Sequence, residues 1–320
     1  MFYGNRKALR QMEEVLERER LPHAVLIQGE EGLGKKTFAR LFAGEILALG
    51  REEGAKAHIR DQVEREAHPD FVSVVPEGGA RSFHIDAIRA LLEGLYLAPN
   101  QSRYRVYLLA ESHRMTEQAQ NALLKSLEEP PGHVVFLLTC DDGASLLPTL
   151  LSRSYCLRLA PVGQEECRQA LEEAYPGETG EALERAAFLA GGNIGRAGKL
   201  LTDEGSRAAL EQAFALLAGA AQGSEYEMLA AMAPMEKSRA LAVAGMEQTQ
   251  RLLGGVLREK AGQSAGEAPK EVKQLAGGMS FPKILRLYDG AGRALEMLNG
   301  NVSQALALES FCGGIFGSKG

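Results

Sequence analysis

The sequence predicts an α/β fold, with a parallel β-sheet in the first half of the chain and a largely helical second half. Three observations support this. Short apolar runs alternate with helical patterns up to about residue 160, a glycine-rich loop joins the first run to a helix, and strand-like runs stop after Pro161. Continuous apolar runs of this length are typical of strands buried on both faces of a parallel sheet.

Five short runs carry the strand pattern, and helical patterns lie between them. The strands are predicted at 24–28 (AVLIQ), 71–75 (FVSVV), 105–110 (RVYLLA), 134–139 (VVFLLT) and 155–159 (YCLRL), and the helices at 35–49, 86–97 and 116–129. The last helix begins at Thr116, a residue type that caps helices, and is stopped by Pro130 and Pro131. Strands and helices in this order predict a doubly wound α/β domain over residues 1–160.

The second half shows helical periodicity without strands. Patterns at 164–174, 180–190 and 194–201 indicate a small helical unit over residues 161–203. Residues 204–320 are rich in Ala and Leu and predict a further helical domain, interrupted by a Gly/Ser/Pro-rich loop at 262–269. The final GGIFGSKG, 313–320, is predicted to be a frayed tail.

The composition argues against several classes of protein. The 320 residues are 45% hydrophobic and 24% charged, which suits two or three packed domains. The formal net charge of −6 argues against a strongly basic nucleic-acid-binding protein. The first residues lack the apolar core of a secretory signal, and no run approaches the roughly 18 apolar residues of a spanning helix. We therefore expect a cytoplasmic protein.

A phosphate-binding loop follows the first predicted strand. The segment GEEGLGKKT, 29–37, places Gly29, Gly32 and Gly34 where backbone N–H groups can turn towards phosphate oxygens. Lys35 opens the next helix and is in position to reach the β- and γ-phosphates of a nucleotide. The residues alone also allow a simple glycine-rich turn between a strand and a helix, but the strand-loop-helix context favours the phosphate loop.

The loop lacks the hydroxyl that should bind Mg²⁺. That position is Lys36, an ammonium that repels a cation, and Thr37 comes one residue late, about 100° further round the helix. The second metal ligand of such sites is an acidic residue at the end of a buried strand, where this sequence has Ala110 followed by Glu111. Glu111 is either a remnant of the catalytic acid or a solvated strand end. Hydrolysis of ATP at this loop is therefore not expected.

Several segments together resemble the bacterial clamp-loader branch of the AAA+ ATPases. They are LPHA at 21–24, HPDF at 68–71, IDAIR at 85–89, RVY at 105–107 and, most specific, the run from Met115 that ends in NALLKSLEEPP at 121–131. The resemblance is strong over about 20–160, moderate over 161–203 and weak beyond, where NGNVSQALALE at 299–309 is similar to the family's closing helix.

The resemblance implies a specific architecture and set of partners. Residues 1–160 would form a RecA-like AAA+ domain, 161–203 a small helical lid, and 204–320 a helical collar through which subunits assemble. Family members form a ring of five that contains gamma or tau motor subunits and a delta subunit. The ring uses ATP to place a sliding clamp on primer-template DNA in replication, and no membrane is involved.

The resemblance also implies roles for three residues. Arg153, in LSRS at 151–154, matches the arginine finger that acts in trans on a neighbouring subunit's ATP, although Ser154 replaces the family's Cys. Arg196, in GGNIGR at 191–196, matches a lid arginine that senses nucleotide, and Thr139 stands at the position of a polar sensor. The residues alone also allow two surface arginines and an ordinary threonine at a strand end.

The predicted cofactor content follows from the positions at which the sequence departs from the family's pattern. Many family members bind zinc through four cysteines after the loop helix, but residues 50–67 contain no Cys, and none of the four cysteines are closely spaced, so we expect no metal site. The loop either holds ATP or ADP without well-bound magnesium or holds no nucleotide.

The sequence thus favours a largely non-hydrolysing subunit that donates an arginine finger. An active motor ATPase is the alternative. A module that binds DNA by itself is disfavoured by the acidic balance.

Overall fold

A computed structural model describes residues 2–18, 21–76, 85–264 and 266–316 of the chain. The chain divides into two compact units, Met1–Pro161 and Val162–Gly320. Within the described residues, the first unit holds a five-stranded, wholly parallel sheet in the order β2-β3-β4-β1-β5. The predicted α/β class, with a parallel sheet followed by helices, is confirmed.

The first unit alternates strands and helices along the chain. Its elements are α1 (Arg6–Leu16), β1 (Ala24–Gln28), α2 (Lys35–Leu47), α3 (Glu53–Glu64), β2 (Phe71–Val74), α4 (Ile85–Glu93), β3 (Arg105–Leu109), α5 (Glu117–Glu128), β4 (Val134–Cys140), α6 (Pro148–Ser152) and β5 (Tyr155–Arg158). Each predicted strand lies within one residue of its observed bounds. The predicted cap of α5 is present, since Thr116 Oγ1 accepts a hydrogen bond from the Ala119 N–H.

The sheet separates two apolar cores. In β1, Val25 and Ile27 face one core, which includes Phe38 and Phe42 of α2, and Leu26 faces the other. Side chains of a strand alternate between the two faces of a sheet, so both sets must be apolar when both faces are covered. This is why the strands read as continuous apolar runs.

The second unit is helical throughout its described residues. Its helices are α7 (Gln164–Ala174), α8 (Gly180–Leu189), α9 (Ile194–Thr202), α10 (Glu204–Gln222), α11 (Glu225–Met232), α12 (Arg239–Lys260), α13 (Lys270–Gly278), α14 (Phe281–Asn299) and α15 (Gln304–Phe316). Helices α7–α9 form one apolar cluster and α10–α15 a second, with Leu189 and Phe214 packed against both. The predicted boundaries of lid and collar stay predictions.

Several local predictions need correction. The predicted tail at 313–320 is helical as far as Phe316, and 317–320 lie outside the described residues. The pattern at 299–309 does not form one helix, because α14 ends at Asn299 and α15 starts at Gln304. Helices α1 and α3 were not predicted. Within the described residues, no helix is both long and apolar enough to cross a membrane.

Candidate functional site

The phosphate loop lies between the end of β1 and the start of α2. Its first glycine, Gly29, donates its N–H to the carbonyl of Cys140 at the end of β4, 3.2 Å away. A Cβ atom on Gly29 would lie 2.8 Å from the carbonyl oxygen of Leu159, so only glycine fits there. Gly32 and Gly34 have φ values of 89° and 77°, which favour glycine. The loop therefore keeps the backbone shape that its glycines predict.

Lys35 is the buried cation at the centre of this loop. Its side chain is 8% exposed, and Nζ donates to the carbonyl oxygens of Gly29, at 2.7 Å, and Glu30, at 2.8 Å. Nζ also lies 2.7 Å from Asp141 Oδ1. An ammonium carries three N–H donors, and these three acceptors account for all of them. The positive charge of the loop is therefore satisfied by the chain itself.

The sheet register explains why Asp141 reaches Lys35. Strands β1 and β4 are neighbours, and Gln28 is paired with Cys140. The next residues along the two strands are Gly29 and Asp141, so the aspartate emerges beside the loop. His113 flanks it from the other side: the Asp141 N–H donates to His113 Nδ1 at 3.3 Å, and His113 Nε2 lies 3.6 Å from Asp141 Oδ2.

The two positions at which magnesium ligands are expected carry unsuitable groups. Lys36 is 41% exposed, and its Nζ lies 3.8 Å from a carboxylate oxygen of Glu66. Ala110 is buried and offers only a methyl group. Mg²⁺ requires oxygen ligands in near-octahedral geometry, and neither residue provides a side-chain oxygen. These positions do not fit the ion.

Glu111 lies at the end of β3 in an unusual backbone conformation. Its φ of 55° is in the left-handed region, and its N–H donates to Thr139 Oγ1 at 2.9 Å. Its carboxylate oxygen Oε2 lies 3.0 Å from Nε of Arg114. A left-handed non-glycine residue is a form of strain that clusters at functional sites. Thr139, the predicted sensor, thus fixes the backbone of the predicted acid.

These groups surround one cavity of about 220 Å³. Its walls come from the loop and from the ends of β3 and β4: Glu31, Gly32, Gly34, Lys35, Lys36, Thr37, Ala110, Glu111, Arg114, Thr139 and Asp141. Burial raises the pKa of the adjacent Cys140 thiol to about 12, so this side chain is uncharged at neutral pH. Thr37, expected to point away, contributes to the wall.

Arg153 lies outside that cavity wall, at the C-terminal end of α6. Its side chain is 38% exposed. Nη1 donates to the Thr149 carbonyl at 3.1 Å, and Nη2 lies 2.9 Å from Glu128 Oε1 of α5. Arg196 belongs to the second unit, in the first turn of α9, where its N–H donates to the capping Asn193 Oδ1 at 3.0 Å.

The HPDF segment, 68–71, contains a buried carboxylate site. Asp70 is fully buried and accepts hydrogen bonds from the N–H groups of Asn100 (2.6 Å), Gln101 (2.8 Å) and Ser102 (2.9 Å). Its own N–H donates to His68 Nδ1 at 3.1 Å. The HPDF motif therefore holds a loop in place. In the described part of the chain, no three His, Cys, Asp or Glu residues are grouped as metal ligands.

Sequence reasoning missed Asp141 as a residue of this site. It stands in an acidic pair with Asp142 after the fourth strand, which looks like an ordinary polar turn. Only the pairing of β1 with β4 brings it to the loop lysine. Asp142 does serve the turn, because its Oδ1 accepts a hydrogen bond from the Ala144 N–H.

Comparisons with known proteins find subunits of DNA polymerase III. Residues 4–163, half of the chain, match the family described as DNA polymerase III, delta subunit. The tau subunit of DNA polymerase III from Escherichia coli is 33% identical over 189 residues, 58% of this chain and 29% of that subunit. The delta' subunit from Pseudomonas aeruginosa is 34% identical over 176 residues, 53% of each chain.

Among solved structures, a DNA polymerase III gamma subunit-related protein from Thermotoga maritima covers 95% of this chain and 97% of its own, with a TM-score of 0.48 and 18% identity. The match to the delta' relative spans about half of that relative's length, and the match to tau less than a third. Subunits of the delta' type and of the tau and gamma type are both among the relatives found. The chain therefore belongs to the family described as DNA polymerase III, delta subunit, and is similar to its delta' members.

Proposed function

We propose that this protein is a largely non-hydrolysing subunit of the DNA polymerase III clamp loader, and that it donates Arg153 to ATP held by a neighbouring subunit. The observation that carries the proposal is the state of its own phosphate loop. Lys35 is neutralised by Asp141 and two carbonyl oxygens, and the magnesium positions are Lys36 and Ala110. A loop without metal ligands and with its lysine engaged is poorly suited to phosphoryl transfer.

Arg153 has the properties that an arginine finger acting on a neighbouring subunit requires. It is partly exposed, and two contacts, to Glu128 and to the Thr149 carbonyl, hold the guanidinium near α5 and α6. A guanidinium has five N–H donors in a fixed plane, so it can bind phosphate oxygens while keeping such contacts. Charge that develops on a transferred phosphoryl group is stabilised by a positioned arginine.

The second unit offers a surface for assembly. On α14, Phe281, Leu285 and Tyr288 are 45%, 41% and 37% exposed and lie four and three residues apart, on one side of the helix. Ile284 and Leu287 of the same helix are fully buried. An exposed apolar stripe beside a buried one favours contact with another subunit. This supports the proposal that 204–320 act as a collar, and we propose 161–203 as a lid by resemblance alone.

The proposed partners are those of the family. They are the gamma or tau motor subunits and the delta subunit in a five-membered ring, and, through the complex, the sliding clamp and primer-template DNA. The protein would act with the replisome in the cytoplasm. We propose no zinc and no tightly held magnesium. Any ATP or ADP in the loop would have a structural role, and we propose Arg196 as a nucleotide sensor.

The decisive experiment compares loaders assembled with the wild-type chain and with Arg153→Ala. We expect ATP hydrolysis stimulated by clamp and DNA to fall by about 10³-fold per affected site, because the positioned guanidinium is lost. Arg65→Ala is the matched control, since Arg65 is an exposed arginine paired with one carboxylate, Asp61, at 3.0 Å. Full activity of the Arg153→Ala loader, with normal assembly, would refute the trans role.

An active motor ATPase is the second candidate, and two observations favour it. The glycines keep the phosphate-loop conformation, and relatives of the tau and gamma type match as well as delta' does. This function requires magnesium-dependent turnover by the purified full chain, lost on Lys35→Ala. Turnover with that dependence would replace our proposal, and its absence would leave Arg153 as the chain's contribution.

A further inference from the structure

Directly after β4, the carboxylate of Asp141 lies where the phosphate ligand of Lys35 would bind. The register of β1 and β4 fixes this placement, because Gly29 and Asp141 directly follow the paired residues Gln28 and Cys140. Asp141 Oδ1 lies 2.7 Å from Lys35 Nζ, the distance of a charge-assisted hydrogen bond. The lysine side chain is 8% exposed and the aspartate side chain 40%, so the lysine end of the contact is shielded from water while the carboxylate stays partly accessible.

The geometry points to Asp141 as an internal anion that occupies the lysine in place of a nucleotide phosphate, and we propose that this contact closes the loop to triphosphates. This proposal rests on the proposed function. It adds a cause for the inactive loop that does not depend on the missing magnesium ligands. A nucleotide would have to displace the carboxylate from Lys35 and then place its own negative charge beside it.

The chemistry of the lysine makes the competition direct. Its other two N–H groups are held by the Gly29 and Glu30 carbonyls, so only the direction taken by Asp141 remains for a phosphate oxygen. Hydrogen bonds to a charged group contribute more than neutral ones. Removing the charge of Asp141 should therefore free the strongest anion-binding donor of the loop.

The other carboxylate at the strand ends is arranged differently. Glu111 Oε2 lies 3.0 Å from Arg114 Nε, and no contact between Glu111 and Lys35 is present in the described structure. Asp142, the neighbour of Asp141, accepts a backbone hydrogen bond from Ala144 and does not line the cavity. The blocking role therefore belongs to Asp141, and Asp142 provides a control of equal charge one residue away.

The test is a titration of the purified full chain with ATP, ADP and orthophosphate, with and without Mg²⁺. We expect Asp141→Asn to bind ATP roughly 10- to 100-fold more tightly than the wild-type chain, the gain that one charge-assisted hydrogen bond provides. Asp142→Asn should bind as the wild type does. In the double variant Asp141→Asn with Lys35→Ala, the gain should disappear, because it depends on the released ammonium.

The proposal fails if Asp141→Asn and the wild type bind ATP equally, with both folded by circular dichroism and thermal melting. It also fails if the gain persists without Lys35. Asp141→Ala serves as a second variant if the asparagine variant does not fold. These outcomes concern binding by this chain alone. They are separate from the Arg153→Ala loader assay, so either proposal can fail while the other stands.

Discussion

Lys35 and Arg153 are both cations of the first unit, but they differ in exposure and in how many of their N–H groups have acceptors within the chain. Lys35 is 8% exposed and has an internal acceptor for each of its three N–H groups. Arg153 is 38% exposed, and its two described contacts use two of five donors. The N–H groups of Lys35 are therefore all used within the fold, whereas Arg153 has donors that can bind a further ligand.

This difference is consistent with our proposal that Lys35 belongs to an inactive loop and that Arg153 serves a neighbouring subunit. A phosphate that reached Lys35 would first have to remove Asp141, whereas a phosphate brought to Arg153 by a neighbour would meet an accessible guanidinium. The sequence already favours Arg153 over Lys35, because the magnesium positions are Lys36 and Ala110. The contacts of the two cations support the same proposal, and the following changes test it.

The largest effect is expected for Arg153→Lys. The lysine keeps the charge but loses the planar fork, so it cannot reproduce paired N–H contacts with phosphate oxygens. We expect neighbour-dependent ATP hydrolysis in the assembled loader to fall by roughly 10²- to 10³-fold. Steady-state hydrolysis with clamp and primed DNA measures this. If the Arg153→Lys loader hydrolyses ATP as fast as the wild type, a positive charge alone is enough. The contrast between Arg153 and Lys35 would then not depend on the planar guanidinium.

Asp70→Asn should cause the largest loss of stability. Burial raises the pKa of Asp70, but the N–H groups of Asn100, Gln101 and Ser102 outweigh it and hold that pKa below its ordinary value. We expect the free energy of unfolding to fall by about 3 kcal/mol at pH 7, since a buried charge-assisted network is broken. Urea unfolding measures the change.

The pH dependence gives an independent check on Asp70. A carboxyl whose pKa is depressed in the folded state stabilises fully above its unfolded value, near 4, and loses this contribution as the pH falls through the folded value. The stability difference between wild type and Asp70→Asn should therefore shrink below about pH 4. A difference that stays constant with pH would show that the asparagine acts through shape alone.

Lys35→Ala should affect stability more than function. It leaves the Gly29 and Glu30 carbonyls and Asp141 without their shared donor, and we expect a loss of about 2 kcal/mol in the free energy of unfolding. Loader hydrolysis should stay within about twofold of wild type once assembly is complete. Lys36→Ala is the matched control, with a change below about 0.5 kcal/mol, because its pairing with Glu66 is exposed and 3.8 Å long.

The sequence predicted the sheet well because the strands are buried on both faces, which imposes an unmistakable apolar pattern on β1 and β4. It predicted the loop because only glycine fits at Gly29. It could not predict Asp141, since the contact with Lys35 depends on which strands are neighbours. Nor could it predict that Gly313 and Gly314 lie within α15, because tertiary packing overrides their low helix propensity.

The smallest effect is expected for Glu128→Gln, and it tests how Arg153 is held. The pair is partly exposed, at 38% and 51%, so its loss should change stability by less than about 1 kcal/mol. The Thr149 carbonyl still accepts a hydrogen bond from Nη1, but the guanidinium gains freedom on the side of Nη2. We therefore expect loader hydrolysis to fall two- to threefold, through poorer orientation rather than lost charge. Arg65→Ala, which breaks a similar exposed pair elsewhere, should leave the rate unchanged. A rate that rises would show that Glu128 keeps Arg153 away from the neighbour's nucleotide. Lys35 and Arg153 would then both be restrained by carboxylates and would differ only in the strength of that restraint.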